Sequence, residues 1–224
     1  MNVIVLGDGL LGSEIVNQTG WDYISRKKDD IDIDDFDRWM YKLNKYDIIV
    51  NCIANTDIYS EDKEPHIKVN YHFVKYLVGY CNEMGKKLVH ISTDYIYANS
   101  DNERRETDVP VHHSSWYGYS KLLGDAHVEL ESDDFLIARL SHKPHPFPYD
   151  KAWLDVSTNA DYTPKIVSLL VDLINNHATG IYNIGTDKKT IFELALKSKE
   201  VQPTTSPDKV PKNVTMNLDK LLNF

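Results

Sequence analysis

The fold class is indicated first by residues 3–12, Val3-Ile-Val-Leu-Gly-Asp-Gly-Leu-Leu-Gly12. Four consecutive apolar residues are typical of a buried parallel strand, and the glycines that follow have the spacing G-x-G-x-x-G. Glycine permits a tight turn and lets backbone amides approach a pyrophosphate at the positive end of the next helix. The stretch therefore predicts a strand, a turn and a helix that bind a dinucleotide. The alternative is a glycine-rich turn that only packs helix on strand, and Asp8 favours it because a carboxylate in this loop repels phosphate.

Downstream of this unit, short apolar runs alternate with longer amphipathic runs. Such alternation is typical of strand-helix units that build a parallel sheet. Further strands are expected over residues 23–24, 47–51, 87–91, 135–138 and 180–184. Helices are expected over residues 10–17, 64–84, 114–131 and 163–175. The predicted fold class is α/β, with a Rossmann-type doubly wound parallel sheet.

Two segments depart from the alternation. Residues 141–149 mix His and Pro with Lys, Phe and Tyr, and residues 201–211 are rich in Pro, Ser, Thr and Lys and are expected to form a loop. We therefore predict a Rossmann domain over residues 1–140, to which residues 161–184 return. Residues 141–160 and 185–224 are expected to form a small, discontinuous C-terminal lobe.

The composition limits the classes of partner. The 224 residues include 34 Asp or Glu and 25 Lys or Arg, a net charge of −9, which argues against nucleic-acid binding. The longest apolar runs are far shorter than the roughly 18 residues of a membrane-spanning helix. Met1-Asn2 leads directly into the first apolar run, without the pattern of an export signal. Cys52 and Cys81 lie in apolar contexts, so free thiols and a cytoplasmic location are expected.

The residues after the second expected strand bear on the choice of dinucleotide. A carboxylate commonly binds the ribose 2′-hydroxyl there, but this chain has Ser25-Arg26-Lys27-Lys28. A hydroxyl and a guanidinium suit a 2′-phosphate, so Ser25 and Arg26 favour NADPH over NADH. For Lys27 and Lys28 a solvated basic run that balances the acidic residues after it is equally consistent.

A second group of residues indicates redox chemistry. Tyr117 and Lys121 are four residues apart, so they share one face of the expected helix. An ammonium near a phenol is expected to lower the pKa of the phenol and to make Tyr117 a proton donor and acceptor. Thr93 follows the fourth strand, at the sheet edge where ligands of open α/β sheets bind. Its hydroxyl is expected to hold a substrate oxygen beside Tyr117.

Taken together, these motifs resemble the extended short-chain dehydrogenase/reductase superfamily, and within it the dTDP-4-dehydrorhamnose reductase group. The resemblance covers nearly the whole chain. Its elements are the glycine loop Gly7 to Gly12, Asn51-Cys-Ile-Ala-Asn-Thr56, Ser92-Thr-Asp-Tyr-Ile-Tyr97, Tyr117-Gly-x-x-Lys121 and the closing segment 211–221. The most specific single match is Ser92 to Tyr97, which is similar to S-T-D-Y-V-F of the family.

The resemblance implies a role for each matching residue. It implies that Tyr117 protonates the reduced oxygen, that Lys121 holds the nicotinamide ribose, and that Thr93 binds the reacting oxygen. The cofactor contacts implied are Gly7, Gly9, Leu10, Leu11 and Gly12 at the pyrophosphate, Asp32 and Ile33 at the adenine, and Ala54, Asn55 and Thr56 on the inner face. The substrate contacts implied are Thr56, Ile58, Thr93, Asp94 and Tyr95. The implied reaction is hydride transfer from NAD(P)H to the 4-keto carbon of a 6-deoxy nucleotide sugar, with a homodimer as the family-level assembly.

The chain also departs from that family. The family usually continues after Arg139 with Thr-Ser-Trp, whose Trp touches substrate, whereas Leu140-Ser-His142 stands here and places an imidazole there. The stretch that follows, up to Tyr162, is shorter than family members carry, so a shortened substrate lobe is expected. This shortening bears more on nucleotide-sugar binding than on cofactor binding.

Two other functions stay open at the level of sequence. Relatives with the same Tyr and Lys pair include epimerases, which retain NAD, and a catalytically idle regulatory subunit of methionine adenosyltransferase. No metal site is expected, because His112-His113 and His142-x-x-His145 have neither helical spacing nor nearby carboxylates.

Overall fold

The computed structural model describes residues 1–100, 103–108, 110 and 115–224. Its strands are β1 Val3–Leu6, β2 Asp22–Ile24, β3 Ile48–Asn51, β4 Lys87–Thr93, β5 Phe135–Leu140, β6 His142–Lys143, β7 Lys151–Trp153, β8 Ser157–Thr158, β9 Asp161–Tyr162, β10 Gly180–Ile184, β11 Lys189–Thr190 and β12 Gln202–Thr204. Its α-helices are α1 Leu10–Thr19, α2 Arg26–Asp29, α3 Phe36–Trp39, α4 Lys63–Ile67, α5 Phe73–Glu83, α6 Trp116–Glu131, α7 Thr163–Asn175, α8 Ile191–Leu196 and α9 Asp219–Leu222. Single turns of 3₁₀-helix cover Ile33–Asp35, Met40–Leu43 and Asp94–Tyr97, and a π-helical turn covers Lys68–His72.

Six strands form one parallel sheet in the order β10-β5-β4-β3-β1-β2. The chain passes from β1 to β2 on one side and then places β3 on the other side of β1. The strand order therefore reverses between β1 and β3, which is where open α/β sheets bind ligands beyond the carboxyl ends of their strands. The predicted Rossmann-type doubly wound sheet is confirmed.

Helices cover both faces of this sheet because its strands are apolar on both sides. One face packs against α1 and α7, with Val5, Leu136 and Leu170 fully buried between them. The other face packs against α3, α5 and α6, with Ile49, Leu77 and Val128 fully buried. Strands β4 and β5 each run two residues further than expected, to Thr93 and Leu140, because they remain paired to each other to that point.

The helix expected over residues 64–84 is divided into α4, the π-helical turn and α5. Asp62 begins this segment by accepting a hydrogen bond from the amide of Glu64. The π-helical turn carries Asn70, which is buried, and such turns are frequent at functional sites.

A separate apolar cluster forms beyond the carboxyl edge of the sheet. Phe147, Val156, Leu194 and Val210 are buried in it, and none of them belongs to the two clusters that cover the sheet. Three two-stranded pairings frame the cluster: β7 with β12, β8 with β11 and β6 with β9. The expectation of an unbroken loop over residues 201–211 is wrong, because Gln202–Thr204 pairs in parallel with Lys151–Trp153.

Helix α6 begins at Trp116, where the hydroxyl of Ser115 accepts a hydrogen bond from the amide of Gly118. Ser114, at which this helix was expected to start, lies outside the described residues. Within the described parts of the chain, no helix combines the length and apolar character that crossing a bilayer requires.

Candidate functional site

The glycine loop lies at the carboxyl end of β1, beside the reversal point of the sheet. Gly7 has φ +97°, a left-handed conformation that glycine adopts without strain. A Cβ on Gly12 would lie 2.1 Å from the carbonyl oxygen of Gly7, so only glycine allows α1 to start this close to the turn. A Cβ on Gly9 would meet no atom within 4 Å, and Gly9 is the N-cap of the ten-residue α1.

This arrangement fits the diphosphate of a dinucleotide. The first amides of α1 have no partner within the helix, and the open side of Gly9 leaves them accessible. Leu10 is exposed beside them and Leu11 is buried against the sheet, so the two side chains expected at the pyrophosphate have different surroundings.

The end of β2 adjoins this loop. Ser25 is 1% exposed, and its hydroxyl caps α2 by accepting a hydrogen bond from the amide of Lys28. The same hydroxyl donates to Asp8 Oδ2 at 3.0 Å. Arg26 is exposed at the first position of α2. Further on, Asp32 caps the turn Ile33–Asp35 by accepting from the amide of Asp34, and Ile33 is half-buried.

The segment after β3 is held in place by Asn70. Asn70 Oδ1 accepts from the amide of Asn55 at 2.9 Å, and Asn70 Nδ2 donates to the carbonyl oxygen of Asn55 and to Ser120 Oγ, each at 2.9 Å. Ala54 and Thr56, on either side of Asn55, are exposed. The side chain of Asn70 therefore presents the segment after β3 toward α6.

Thr93 and Tyr117 meet at the carboxyl end of β4. Thr93 is 3% exposed, and it forms a side-chain hydrogen bond with Tyr117. Burial raises the pKa of Tyr117 to about 12, although the bond to Thr93 opposes that change. The expectation that Lys121 lowers this pKa is wrong here, because burial has the largest effect and the ammonium is directed elsewhere.

Lys121 is 2% exposed on the next turn of α6. Its ammonium donates to the carbonyl oxygen of Ile91 at 2.5 Å and lies 3.4 Å from His90 Nε2. Burial lowers the pKa of Lys121 to about 8, opposed by the nearby Asp125. His90 Nε2 is 3.7 Å from Asp125 Oδ1, and burial holds the pKa of His90 well below its usual range.

The remaining residues of the expected substrate side lie around Tyr117. The ring of Tyr95 meets that of Tyr117 edge to face, with centroids 5.6 Å apart. Asp94 is 1% exposed, and its carboxyl group accepts from the hydroxyls of Thr93 and Thr158 at 3.3 Å each. His142 Nδ1 is 3.0 Å from Thr163 Oγ1, and burial lowers the pKa of His142 to about 4.

The structure thus brings the residues expected from sequence to the carboxyl edge of one sheet. Ile58 packs against the separate apolar cluster, which connects the segment after β3 with the small lobe. Three residues to which the sequence analysis assigned no role support the site from below: Asn70, His90 and Asp125. In the sequence, the one feature that marks these three residues is that each is polar within an otherwise apolar helix face or strand.

No cluster of three or more His, Cys, Asp or Glu side chains suited to a metal ion occurs in the part of the chain that the structure describes. His112 and His113 lie outside that part.

Comparison with known proteins identifies a family for this chain. Residues 1–142 match the model of the RmlD substrate binding domain. The chain is 34% identical over 116 residues to the probable low-salt glycan biosynthesis reductase Agl14 of Haloferax volcanii, a match that covers 50% of this chain and 38% of that protein. The chain spans about half or less of the length of the curated relatives it matches, between 32% and 52% among the first three.

Two solved structures share the fold over the whole chain. The hypothetical dTDP-4-dehydrorhamnose reductase from Sulfolobus tokodaii has a TM-score of 0.84 at 25% identity, and covers 100% of this chain and 94% of its own. A dTDP-4-dehydrorhamnose reductase from Bacillus anthracis, crystallised with NADP, has a TM-score of 0.83 at 22% identity, covering 100% and 92%. The family model spans well over half of the chain, so the resemblance found in the sequence is confirmed. This chain belongs to the RmlD substrate binding domain family.

Proposed function

We propose that the protein is an NAD(P)H-dependent reductase that transfers a hydride to the 4-keto carbon of a 6-deoxy nucleotide sugar. One observation carries this proposal. Thr93, Tyr117 and Lys121 come from a strand and a helix that are distant in sequence, yet they meet at the carboxyl edge of the sheet, beside a glycine loop suited to a dinucleotide.

The proposed reaction needs a hydride for the carbonyl carbon and a proton for its oxygen. When bound, a reduced nicotinamide supplies the hydride. When substrate binds, the Thr93 hydroxyl turns its one proton from Asp94 to the substrate oxygen, which orients the carbonyl group toward Tyr117. Because burial raises the pKa of Tyr117 to about 12, its phenol is protonated at neutral pH and acts as the proton donor. The alkoxide that forms is a stronger base than a phenolate, so the proton moves from Tyr117 to the oxygen.

Lys121 supports this step by binding the cofactor. Its ammonium is held beneath the site and is not among the groups that change the pKa of Tyr117. The bond to the carbonyl oxygen of Ile91 orients the Lys121 ammonium beneath the site, where it also suits the ribose hydroxyls of a cofactor.

For the cofactor we propose NADPH, with NADH also accepted. Gly7, Gly9, Leu10, Leu11 and Gly12 would hold the diphosphate, and Ser25 and Arg26 would lie at the adenosine ribose. Asp32 and Ile33 would contact the adenine, and Ala54, Asn55 and Thr56 the inner face. The NADP in the related Bacillus anthracis structure supports this choice.

For the substrate we propose contacts from Thr56, Ile58, Asp94, Tyr95 and His142. We also keep the proposed division into a cofactor domain, residues 1–140 with 161–184, and a small substrate lobe, residues 141–160 with 185–224. The separate apolar cluster around Phe147 and Leu194 supports that division, because each part then has its own buried core.

The test measures the consumption of NADPH, by its absorbance, in the presence of a dTDP-4-keto-6-deoxyhexose. Tyr117→Phe is expected to lower kcat by about 10²–10⁴-fold, the range for loss of a positioned acid, while NADPH still binds. Tyr41→Phe is the matched control, because Tyr41 lies in the turn Met40–Leu43, is 63% exposed and should retain wild-type activity.

Three results would contradict the proposal. Equal activity of wild type and Tyr117→Phe would show that Tyr117 is not the proton donor. Tightly held NAD without net consumption of reductant on adding substrate would indicate an epimerase. A partner-dependent activity that Tyr117→Phe leaves unchanged would indicate a regulatory subunit.

We propose that the protein is cytoplasmic and binds neither membranes nor nucleic acid. We also propose that it assembles as a homodimer. Cys52 and Cys81 are free thiols, which supports a reducing compartment. Tyr76 on α5 and Leu130 on α6 are exposed, which supports pairing through the long helices.

A further inference from the structure

Asp8 is the second residue of the glycine loop, and its carboxylate lies at the end of β2. Asp8 Oδ2 accepts a hydrogen bond from Ser25 Oγ, with 3.0 Å between the two oxygens. In the sequence the two residues are 17 positions apart, so only the pairing of β1 with β2 brings them together. None of the first four residues after β2 is acidic, but two carboxylates contact Ser25. Asp29 Oδ2 accepts from the Ser25 amide at 3.1 Å, and Asp8 is the one that binds the Ser25 hydroxyl, from the neighbouring loop.

Several contacts fix Asp8 in this position. Its carbonyl oxygen accepts from Ser13 Oγ at 2.8 Å, which ties it to α1. The amide of Gly7 donates to the carbonyl oxygen of Ile24 at 2.9 Å, which holds the loop against β2. The Ser25 hydroxyl also accepts from Lys28, so both its proton and a lone pair are engaged.

This geometry alters what Ser25 offers to a cofactor. Because the Ser25 hydroxyl donates its one hydrogen bond to Asp8, it does not donate one to a 2′-phosphate. The end of β2 is where Rossmann folds bind the 2′-group of the adenosine ribose. A carboxylate there accepts a hydrogen bond from a 2′-hydroxyl, whereas it repels a 2′-phosphate.

Arg26 has the opposite preference. It is exposed, and its side chain forms no hydrogen bond or ion pair with any other residue that the structure describes. Its guanidinium is therefore available for a 2′-phosphate, while Asp8 disfavours the same group.

We propose that Asp8 is a specificity-determining residue that opposes Arg26 and keeps NADH acceptable to a site that would otherwise select NADPH. The proposal rests on the proposed function, because it requires that a dinucleotide binds at this loop. It goes beyond that function by assigning opposite preferences to two residues of one subsite.

The test measures the Kd values of NADPH and NADH by calorimetry, at one fixed ionic strength, without substrate. Asp8→Asn removes the charge and keeps an oxygen that accepts from Ser25. We expect it to tighten NADPH binding by about tenfold and to change the Kd of NADH by less than about threefold, as removal of one nearby charge allows. Arg26→Ala is expected to shift the ratio of the two Kd values in the opposite direction.

The matched control is Asp133→Asn. Asp133 is exposed between α6 and β5, at the amino edge of the sheet, so this change alters the net charge equally without touching the loop. It should leave the ratio of the two Kd values unchanged. A ratio that Asp8→Asn shifts no more than Asp133→Asn does would overturn the role of Asp8. Wild type that binds neither dinucleotide would instead overturn the proposed function and, with it, this proposal.

Discussion

Asp94 shows how strongly burial acts on a single residue of this site. It is 1% exposed, and burial raises the pKa of its carboxyl group to about 7, although hydrogen bonds from Thr93 and Thr158 and the charge of Lys143 oppose the change. A neutral carboxylic acid therefore lies directly beside the proposed catalytic threonine below pH 7. Asp94 thereby joins β4 to the small lobe without carrying a charge.

Asp94 should make folding stability depend on pH. Between about pH 4 and pH 7 the unfolded chain ionises this group while the folded protein keeps it protonated, so its contribution to stability falls as the pH rises. Asp94→Asn removes that loss. Relative to wild type, the variant should gain up to about 4 kcal/mol in unfolding free energy between pH 4 and pH 8. Denaturant unfolding at several pH values measures the difference.

The control for this prediction is Asp172→Asn, which removes an exposed carboxylate on α7. The unfolding free energy of Asp172→Asn should change with pH in the same way as that of wild type. A parallel profile for Asp94→Asn as well would show that Asp94 is ionised in the folded protein.

Two elements approach each other unusually closely beside the site. Gly124 of α6 lies against the π-helical turn, where a Cβ on Gly124 would be 2.5 Å from the carbonyl oxygen of Asn70. The side chain of Asn70 holds Asn55 in place by bonding both the amide and the carbonyl oxygen of Asn55. The distance between α6 and the π-helical turn therefore sets the position of a segment proposed to bind the cofactor.

Gly124→Ala is expected to force these elements apart. We expect a loss of about 1–3 kcal/mol of unfolding free energy, the usual range for overpacking, together with weaker NADPH binding. Urea denaturation and calorimetry measure the two effects.

Gly79→Ala provides the matched control on α5. A Cβ there meets nothing within 4 Å, so the helix preference of alanine should stabilise the protein by about 0.5–1 kcal/mol. If the two variants had the same effect, the close approach at Gly124 would not be important for stability.

On the scale of the whole molecule, one buried ion pair connects distant parts of the chain. Arg139 Nε on β5 donates to Asp125 Oδ2 on α6 at 3.1 Å, and the two side chains are 2% and 1% exposed. Arg139 also donates to Tyr97, whose hydroxyl contacts Asn183 on β10. This network joins the region beneath Lys121 to the strand that returns from the small lobe.

Asp125→Asn should therefore be costly. It leaves the guanidinium of Arg139 buried without a counter-charge, which we expect to lower the unfolding free energy by about 3–5 kcal/mol. Arg139→Met in the same chain should recover a large part of this loss, because it removes the unpaired charge. Chemical denaturation of the two single variants and the double variant gives the coupling energy.

Asp150→Asn is the surface counterpart. Asp150 is 98% exposed and pairs with Lys199 at 2.9 Å, so its loss should cost less than about 1 kcal/mol. Additive losses from Asp125→Asn and Arg139→Met would contradict the network.

The parallel sheet, the glycine loop and the order of the motifs along the chain are all predictable from the sequence. These depend on local patterns: apolar runs, helical spacing, and glycines at a strand-to-helix junction. Each pattern is complete within about a dozen neighbouring residues. For that reason the sequence predicts that Gly7, Gly12, Thr93 and Tyr117 lie at one edge of the sheet.

The directions of the charged side chains, and which of them are buried, depend on three-dimensional packing and are not predictable from the sequence. Asp8 meets Ser25, Asn70 meets Asn55, and Asp125 meets Arg139 through contacts between elements that the chain order does not bring together. The direction in which the pKa of Tyr117 changes was decided in the same way, because burial exceeds the effect of a helical neighbour. Burial and electrostatic balance depend on everything that surrounds a group in space, and a spacing along the chain does not contain that information.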